Sequence, residues 1–316
     1  MAAPGYFDRL ANLAGRVAVV VGGGDGVGRS VTLALAEAGV DLVICDIDEA
    51  PMQETCEAAR KHGVKVASAH TDATDSAQLA AFYDLVEREH PGGVDIMVNL
   101  VGGVKRQPFT DSTPEDWSRE IQTNYGYAIE SCRRAIDLMR RKGKGGSIIN
   151  FTTIEAHRGA GTFAVYAGAK AALANFTRAI AVELAPEGIR VNCVVPDTTP
   201  SKTSMKSLPA ELLAMNADIK PGQWDRAWPL YVPQGYCPPV EDLAKATLYL
   251  ASDLSTSVTG VMLHVDGGTF AASGFLNWPY GVSWLPLPQG ESLTRLYPAQ
   301  AGDETPAYAG SNFLGG

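Results

Sequence analysis

Residues 16–29 read RVAVVVGGGDGVGR, an apolar run that ends in a cluster of glycines and passes directly into a helical pattern. The unbroken apolar run Val17–Val21 favours a buried strand. Glycines at a turn from strand to helix let the backbone approach a pyrophosphate, and the helix N-terminus supplies amide donors. A glycine pattern alone is weak evidence, but its place on the first strand of an alternating chain predicts a dinucleotide site at Gly22, Gly26 and Gly28.

The rest of the chain alternates short β-branched runs with longer alanine- and leucine-rich runs, which is typical of parallel strands joined by crossover helices. The predicted strands are Arg16–Val21, Val40–Cys45, Val64–Ser68, Val94–Asn99, Gly146–Phe151, Ile189–Val195 and Val261–Val265. The runs between them have helical period, including one long helix over 114–141. The pattern therefore predicts an α/β fold with a doubly wound parallel sheet of seven strands.

Composition excludes several classes of function. A formal net charge of -9 and an isoelectric point near 5.1 argue against nucleic acid or an anionic membrane surface as the main partner. Five scattered cysteines without a CxxC pair suggest neither a disulfide framework nor a zinc site. The histidines show no ligand spacing, so no metal is expected, and no apolar run reaches membrane-spanning length. We expect a cytoplasmic protein with small-molecule ligands.

Two segments break the alternation. Residues 196–239, called the lid below, are rich in Pro, Trp and Tyr and are too long for a simple connection, as lids and binding loops often are. Residues 275–316 form an extension with interleaved aromatics and prolines but without helical or strand period. We expect a nucleotide-binding domain over 1–274, with the extension packed on its surface or on a neighbouring subunit. A poorly ordered terminus is the alternative for Ala307–Gly316.

The stretch Tyr166-Ala167-Gly168-Ala169-Lys170 stands at the head of an alanine-rich helical run. Positions i and i+4 of a helix face the same way, so a phenol and an ammonium lie one turn apart. The ordinary pKa of a tyrosine is about 10, and a neighbouring cation is expected to lower it. Such a tyrosine could move a proton to or from an alcohol. Chance spacing on a solvated helix face is the alternative.

An acidic residue, Asp46, ends the second predicted strand. After a glycine turn, a carboxylate at this place accepts hydrogen bonds from the adenosine ribose and repels a 2′-phosphate. Asp46 therefore favours NAD over NADP. A turn or capping role within the acidic string Asp46-Ile47-Asp48-Glu49 is the alternative.

Further elements follow the later strands in a set order. They are Asp72, the run Asn99-Leu100-Val101-Gly102-Gly103, Asn124, the Tyr166 and Lys170 pair, the run Arg190–Pro196, and Val265-Asp266-Gly267-Gly268. With the glycine turn, these motifs show that the chain resembles a short-chain dehydrogenase/reductase over about residues 14–272. The resemblance implies a Rossmann-like fold of three layers, α/β/α, and a homotetramer or homodimer that associates through the helices around Asn124 and Tyr166.

The resemblance also implies roles for individual residues. Tyr166 would be the general base during alcohol oxidation, Lys170 would lower its pKa and bind the ribose, and Thr153 would orient the substrate oxygen. Asn124 would help to hold a proton relay to water. The residues implied to bind NAD are Gly22, Asp25, Gly26, Val27, Gly28, Asp46, Ile47, Asp72, Ala73, Asn99, Val101, Gly102, Tyr166, Lys170, Pro196, Thr198, Thr199 and Ser201.

The chain departs from the family pattern at three places. The usual catalytic serine is Thr153, which keeps the hydroxyl but adds a methyl and stiffens χ1. The usual first threonine of the glycine motif is Val21, and the usual Pro-Gly after the sixth strand is Pro196-Asp197. The added carboxylate of Asp197 has no explanation in the sequence.

The resemblance and the lid composition together predict the reaction. We expect an NAD-dependent oxidoreductase that interconverts a secondary alcohol and a ketone, acting on a bulky apolar or aromatic compound because Trp224 and Trp228 lie in the lid. Glu155 and His157 follow Thr153 and are candidate substrate contacts, although a solvated loop is the preferred interpretation for each. A catalytically weak NAD-binding sensor or scaffold is the main alternative, and a dehydratase or epimerase is a further one.

Overall fold

A central parallel sheet organises the protein. The computed structural model describes residues 5–199, 210–281 and 283–300. Seven strands pair in the order β3-β2-β1-β4-β5-β6-β7, and every pair is parallel. They are β1 (Val17–Val21), β2 (Asp41–Asp46), β3 (Val66–His70), β4 (Ile96–Asn99), β5 (Gly146–Phe151), β6 (Ile189–Pro196) and β7 (Met262–Val265). The predicted seven-strand, Rossmann-like sheet is confirmed, with its order reversing between β1 and β4, where such sheets bind ligands.

Helices cover both faces of this sheet. They are α1 (Tyr6–Ala11), α2 (Gly26–Glu37), α3 (Glu49–Arg60), α4 (Ser76–Glu89), α5 (Pro114–Ile121), α6 (Tyr127–Lys142), α7 (Ala164–Leu184), α8 (Ala210–Asn216), α9 (Pro221–Tyr231), α10 (Val240–Ala251) and α11 (Gly290–Leu296). The single helix predicted over 114–141 is instead two helices, because a π-helical turn, Gln122–Gly126, separates α5 from α6. A π turn adds a residue to the helical ring, and such turns are frequent at functional sites.

The core consists of two layers, one on each side of the sheet. Alternate side chains of β1 point to opposite faces, as the pleat of a strand requires. Val19 and Val21 pack in the layer that includes Leu173 of α7, whereas Val20 packs in the layer that includes Leu35 of α2. Both faces of the strand are thus buried, which explains the unbroken apolar run at residues 17–21.

The lid is more regular than the sequence indicates. Where a loop was predicted, the described part of the lid contains the helices α8 and α9. Helix α9 begins with Pro221 in its first turn, a position where the missing N–H costs nothing, and it ends at Tyr231. Because proline and aromatic residues interrupt the helical periodicity in this stretch, the sequence pattern did not reveal these helices.

The prediction that the extension lacks regular structure was wrong for its first part. Residues Leu276–Trp278 (β8) and Ser283–Leu285 (β9) form an antiparallel hairpin, and α11 follows. The indole of Trp278 donates a 2.9 Å hydrogen bond to the carbonyl of Leu285 and so closes the hairpin. Strand β8 contacts α9 of the lid. Strands of three residues are too short to give a period of two, so the sequence pattern could not reveal them.

Candidate active site

The glycine turn brings the N-terminus of α2 against the end of β1. Gly22 adopts a φ of +85°, which favours glycine. A Cβ atom on Gly28 would lie 1.9 Å from the carbonyl oxygen of Gly22, so no other residue fits there. Asp25 caps α2 by accepting a 2.8 Å hydrogen bond from the Gly26 nitrogen. The turn therefore presents bare backbone at a helix N-terminus, which suits a phosphate group.

Asp46 is tied to this turn from the neighbouring strand. Its Oδ2 accepts a 2.8 Å hydrogen bond from the Gly24 nitrogen, and its Oδ1 accepts one of 3.1 Å from the Asp48 nitrogen. A Cβ atom on Gly24 would lie only 2.9 Å from the Asp46 Cβ, so the glycine makes the approach possible. The carboxylate thus sits beside the turn at the end of β2, and Ile47 is exposed next to it. A ribose bound at the turn could reach this carboxylate.

Two other predicted nucleotide contacts occupy turns after β3 and β4. Asp72 Oδ1 accepts hydrogen bonds of 2.9 Å and 2.7 Å from the backbone and hydroxyl of Thr74, so the carboxylate also orders its own turn. Ala73 beside it is buried. Val101 lies against the glycine turn, since a Cβ atom on Gly22 would be 3.0 Å from the Val101 nitrogen.

The Asn99 side chain serves the core instead of a ligand site. Its Nδ2 donates to Asn150 Oδ1 at 2.8 Å and to the Cys132 sulfur at 3.4 Å, and its Oδ1 accepts a 2.7 Å bond from Ser131. Asn150 continues this buried chain to Thr177 with a bond of 2.9 Å. Both Asn99 donors are therefore used inside the protein, so the contact with NAD that the resemblance implies for Asn99 would have to come from its backbone.

Asn124 joins the loop after β4 to the π turn. Its Nδ2 donates to the carbonyl of Gly103 at 2.7 Å and to that of Glu120 at 3.0 Å, while its Oδ1 accepts from the Gly103 nitrogen at 3.1 Å. A Cβ atom on Gly102 would lie 3.0 Å from Asn124 Oδ1 and 2.9 Å from Lys170 Nζ. The polar ends of Asn124 and Lys170 therefore converge on Gly102.

Lys170 is buried, and its Nζ donates a 3.0 Å hydrogen bond to the carbonyl of Phe151. Burial lowers the pKa of Lys170 to about 8. Burial and then the nearby Glu155 carboxylate raise the pKa of Tyr166 to about 12. The net shift in the pKa of Tyr166 is thus opposite to the lowering expected from the sequence, because desolvation and the negative charge of Glu155 dominate it.

Thr153 meets Tyr166 as the spacing of thirteen residues implies. Thr153 is only 5% exposed, and its side chain interacts with the Tyr166 phenol closely enough to oppose the rise in the pKa of Tyr166. The Thr153 hydroxyl donates a short hydrogen bond to Glu155 Oε2. Glu155 thus contacts Thr153 directly and is not the solvated loop residue that was preferred from the sequence.

Arg158, which sequence reasoning missed, joins Glu155 to Asp197 and Tyr231. Arg158 Nη2 pairs with Glu155 Oε1 at 2.9 Å, donates to the Tyr231 hydroxyl at 2.7 Å and lies 3.7 Å from Asp197 Oδ1. The side chain of Asp197 is 5% exposed. The sequence marked Asp197 as a departure from the family pattern and Tyr231 as an aromatic residue of the lid. The spacing of Glu155 and Arg158 was the only signal for Arg158.

The remaining candidates lie around the lid. His157 packs its ring against His264 and Phe270, with centroids 5.3 Å and 5.6 Å away, and burial lowers its pKa. Trp224 and Trp228 stack on α9 with centroids 5.7 Å apart. Pro196 ends β6, and the hydroxyls of Thr198 and Thr199 donate to Asp197 atoms at 3.3 Å and 3.4 Å. Ser201 lies outside the described residues.

Among residues 5–199, 210–281 and 283–300, no group of three or more His, Cys, Asp or Glu side chains is placed to hold a metal ion. In the same part of the chain, no helix combines the length and apolar character needed to cross a membrane.

Comparisons with known proteins agree with this geometry. Residues 22–269 match the family model described as Enoyl-(Acyl carrier protein) reductase. A 3beta-hydroxysteroid dehydrogenase 1 from Eggerthella lenta is 32% identical over 270 residues, which are 84% of this chain and 97% of that protein. The structure of carveol dehydrogenase from Mycobacterium avium in complex with NAD has a TM-score of 0.74 at 27% identity, covering 82% of this chain and 98% of that one.

A second solved structure is similar to the same extent. It is a 7 alpha-hydroxysteroid dehydrogenase complexed with NADH and 7-oxo glycochenodeoxycholic acid, with a TM-score of 0.73 at 27% identity, covering 84% of this chain and 98% of that one. The fold, the order of the motifs and the match of one family model to most of the chain lead to one conclusion. The chain is an oxidoreductase that belongs to the short-chain dehydrogenase/reductase family.

Proposed function

We propose that this protein is an NAD-dependent oxidoreductase that interconverts a secondary alcohol and a ketone. One observation carries the proposal: the polar ends of Asn124 and Lys170 meet at Gly102, while the Thr153 side chain interacts with the Tyr166 phenol. These four side chains come from the π turn, α7 and the end of β5. A hydroxyl pair beside a buried amine is suited to proton transfer at an alcohol oxygen.

The residues of the glycine turn fit a dinucleotide. A side chain at Gly28 or Gly24 would collide with the turn or with Asp46, so these positions are reserved for close backbone approach. The turn and the α2 N-terminus would hold the pyrophosphate, and Asp46 would accept bonds from the ribose hydroxyls. The negative charge of Asp46 disfavours a 2′-phosphate, which supports NAD over NADP. When bound, the nicotinamide supplies the acceptor or donor of the hydride.

Four residues of the chain have distinct proposed roles in the reaction. Thr153 orients the substrate oxygen, and Tyr166 takes the hydroxyl proton during oxidation or returns it during reduction. Lys170 places a cation in the same pocket, where it would favour the phenolate and bind the ribose. Asn124 keeps the π turn and the loop at Gly103 in place, which holds a path for the proton next to Lys170.

A bulky apolar or aromatic substrate is supported by the lid. Trp224 and Trp228 form a stacked pair on α9, and Trp224 is 40% exposed, so an apolar face remains available. Relatives of the chain include a hydroxysteroid dehydrogenase and a carveol dehydrogenase. The proposed substrate class therefore includes polycyclic and terpenoid alcohols.

We also propose a homotetramer or homodimer. Ile129 on α6 and Val182 on α7 are exposed, and Val182 is 78% exposed. Apolar side chains on these two helices are consistent with a subunit interface formed by them. The mass of the protein in solution would test this association.

The function is tested by a panel of alcohols. The purified protein would be mixed with NAD or NADP and with steroid, terpene, benzylic and sugar alcohols, and reduction of the cofactor would be followed by absorbance. We expect turnover of the bulky apolar alcohols with NAD. Preference for small sugars, or for the acyl carrier thioesters of a parallel assay with NADH, would contradict the proposed substrate class. Dehydration or epimerisation of the substrate without a net redox change would contradict the reaction.

A second candidate function is an NAD-binding sensor or scaffold. It is favoured by the hydrogen bond of Thr153 to Glu155, which occupies the Thr153 proton, and by the raised pKa of Tyr166, which leaves little phenolate at neutral pH. Tight NAD binding without turnover of any alcohol in the panel would support it.

A further inference from the structure

A hydrogen-bonded chain leads from the catalytic hydroxyl to the lid. Thr153 donates to Glu155, Glu155 pairs with Arg158, and Arg158 donates to the hydroxyl of Tyr231 at 2.7 Å. Tyr231 is the last residue of α9, so this chain ends on a lid helix. Arg158 also lies 3.7 Å from Asp197, which follows β6 at the start of the lid. The guanidinium of Arg158 therefore links Thr153, through Glu155, to the start of the lid at Asp197 and to the end of lid helix α9 at Tyr231.

The charged side chains of this hydrogen-bonded network are more buried than ordinary surface charges. The side chains of Glu155 and Asp197 are only 13% and 5% exposed, and Arg158 is 26% exposed. Partly buried charges need partners because desolvation is costly when a charge is left alone. Arg158 is the cation that the structure places against both carboxylates. Moving the lid would remove Tyr231 from Arg158 and force the ion pairs to rearrange.

The arrangement sets the orientation of the Thr153 hydroxyl. A hydroxyl has one proton and two lone pairs. Since the proton is donated to Glu155, the Thr153 oxygen can only accept hydrogen bonds from other partners. The Glu155 contact therefore fixes the direction in which the Thr153 lone pairs point.

We propose that Glu155 is a positioning residue that fixes the Thr153 hydroxyl, and that Arg158 couples this pair to the lid through Tyr231. The coupling rests on the proposed function, because its kinetic consequence requires turnover of an alcohol. Its structural half, the attachment of α9 to Arg158, does not. Asp197 has no explanation in the sequence. In this network it is a second ionic partner of Arg158.

The kinetic test is a double-mutant cycle of Glu155→Gln and Tyr231→Phe. Each single change should lower kcat for alcohol oxidation by about tenfold, with NAD affinity unchanged. Because both residues act through Arg158, the double variant should be no slower than the slower single variant within about twofold. Fully multiplicative losses would overturn the coupling, and so would single variants with an unaltered kcat. Tyr249→Phe removes an exposed hydroxyl from α10, away from this chain, and should behave as wild type.

A second measurement does not depend on activity. Hydrogen exchange of the α9 amides should become faster by about fivefold or more in Tyr231→Phe and in Arg158→Lys, since each loses the contact that holds the helix. The rate should stay unchanged in Tyr249→Phe. Unchanged α9 exchange in both test variants would overturn the proposal even in an active enzyme. If the wild type oxidised no alcohol but α9 exchange rose as expected, the proposed function would fail while the lid attachment stood.

Discussion

Asp46 Oδ2 accepts a 2.8 Å hydrogen bond from the Gly24 nitrogen, which ties the end of β2 to the glycine turn. Asp46→Ala would remove the carboxylate that we propose to bind the ribose and repel a 2′-phosphate. We expect NAD affinity to fall by about tenfold or more, and the ratio of NADP to NAD affinity to rise. Titration with each cofactor by calorimetry measures both.

The matched control for this change is Asp84→Ala. Asp84 is an exposed acidic residue on α4, outside the glycine turn. Its loss changes the net charge equally, so both affinities should remain as in the wild type. An Asp46→Ala protein that still discriminated against NADP as strongly as the wild type would show that another residue sets the cofactor preference.

Gly28 leaves no space for a side chain. A Cβ atom there would lie 1.9 Å from the Gly22 carbonyl oxygen, which is backbone and cannot rotate away. Gly28→Ala should therefore weaken NAD binding by at least about tenfold and lower the free energy of unfolding by about 2 kcal/mol. Gly92→Ala is the control, since a Cβ atom at Gly92 meets nothing within 4 Å. Equal behaviour of the two variants would contradict the close approach.

Asn99 holds the buried polar chain between β4, β5 and α6. Asn99→Ala would remove the 2.8 Å bond to Asn150 Oδ1 and the 2.7 Å bond that Ser131 donates to Asn99 Oδ1. Unpaired buried polar groups are costly, so the free energy of unfolding should fall by about 2–4 kcal/mol. Urea denaturation would measure this, with Ser118→Ala on exposed α5 as the control. If NAD affinity fell and stability did not, the Asn99 side chain would instead be part of the cofactor site.

The lowered pKa of the buried Lys170 predicts that the stability of the protein depends on pH. Burial lowers its pKa from 10.5 to about 8 in the folded protein. Between these values the unfolded chain holds a proton that the folded protein has released, so stability rises with pH. From pH 8 to pH 10, the free energy of unfolding of the wild type should rise by about 2 kcal/mol relative to Lys170→Met. A constant difference between the two proteins would show that the pKa of Lys170 is not lowered.

The sequence was most informative where local pattern and global fold agree. The strand Val17–Val21 and the glycines after it could be interpreted from a few adjacent residues, and the structure places both as expected. Thr153 and Tyr166 were paired by spacing within the family, and they meet. These features depend on short stretches or on a fixed order along the chain.

Other features depend on contacts between distant residues. Nothing in the sequence indicated that the Asn99 side chain would bond to Asn150 on the neighbouring strand and so belong to the core. Arg158 and Tyr231 are 73 positions apart, and no local pattern indicates that they touch. The raised pKa of Tyr166 depends on burial and on Glu155, which only the folded chain brings into effect. Pairing across the sheet and desolvation are tertiary effects, so local periodicity could not reveal them.

The measurement that tests the account most directly is the single-turnover rate of Tyr166→Phe with its best alcohol and NAD. Phenylalanine keeps the ring but removes the acidic hydroxyl, so the rate of cofactor reduction should fall by about a thousandfold or more. NAD affinity, measured on the same protein, should change by less than about threefold. A Tyr166→Phe protein that binds NAD normally and reduces it at the wild-type rate would contradict the assignment of Tyr166 as the acid/base of this enzyme.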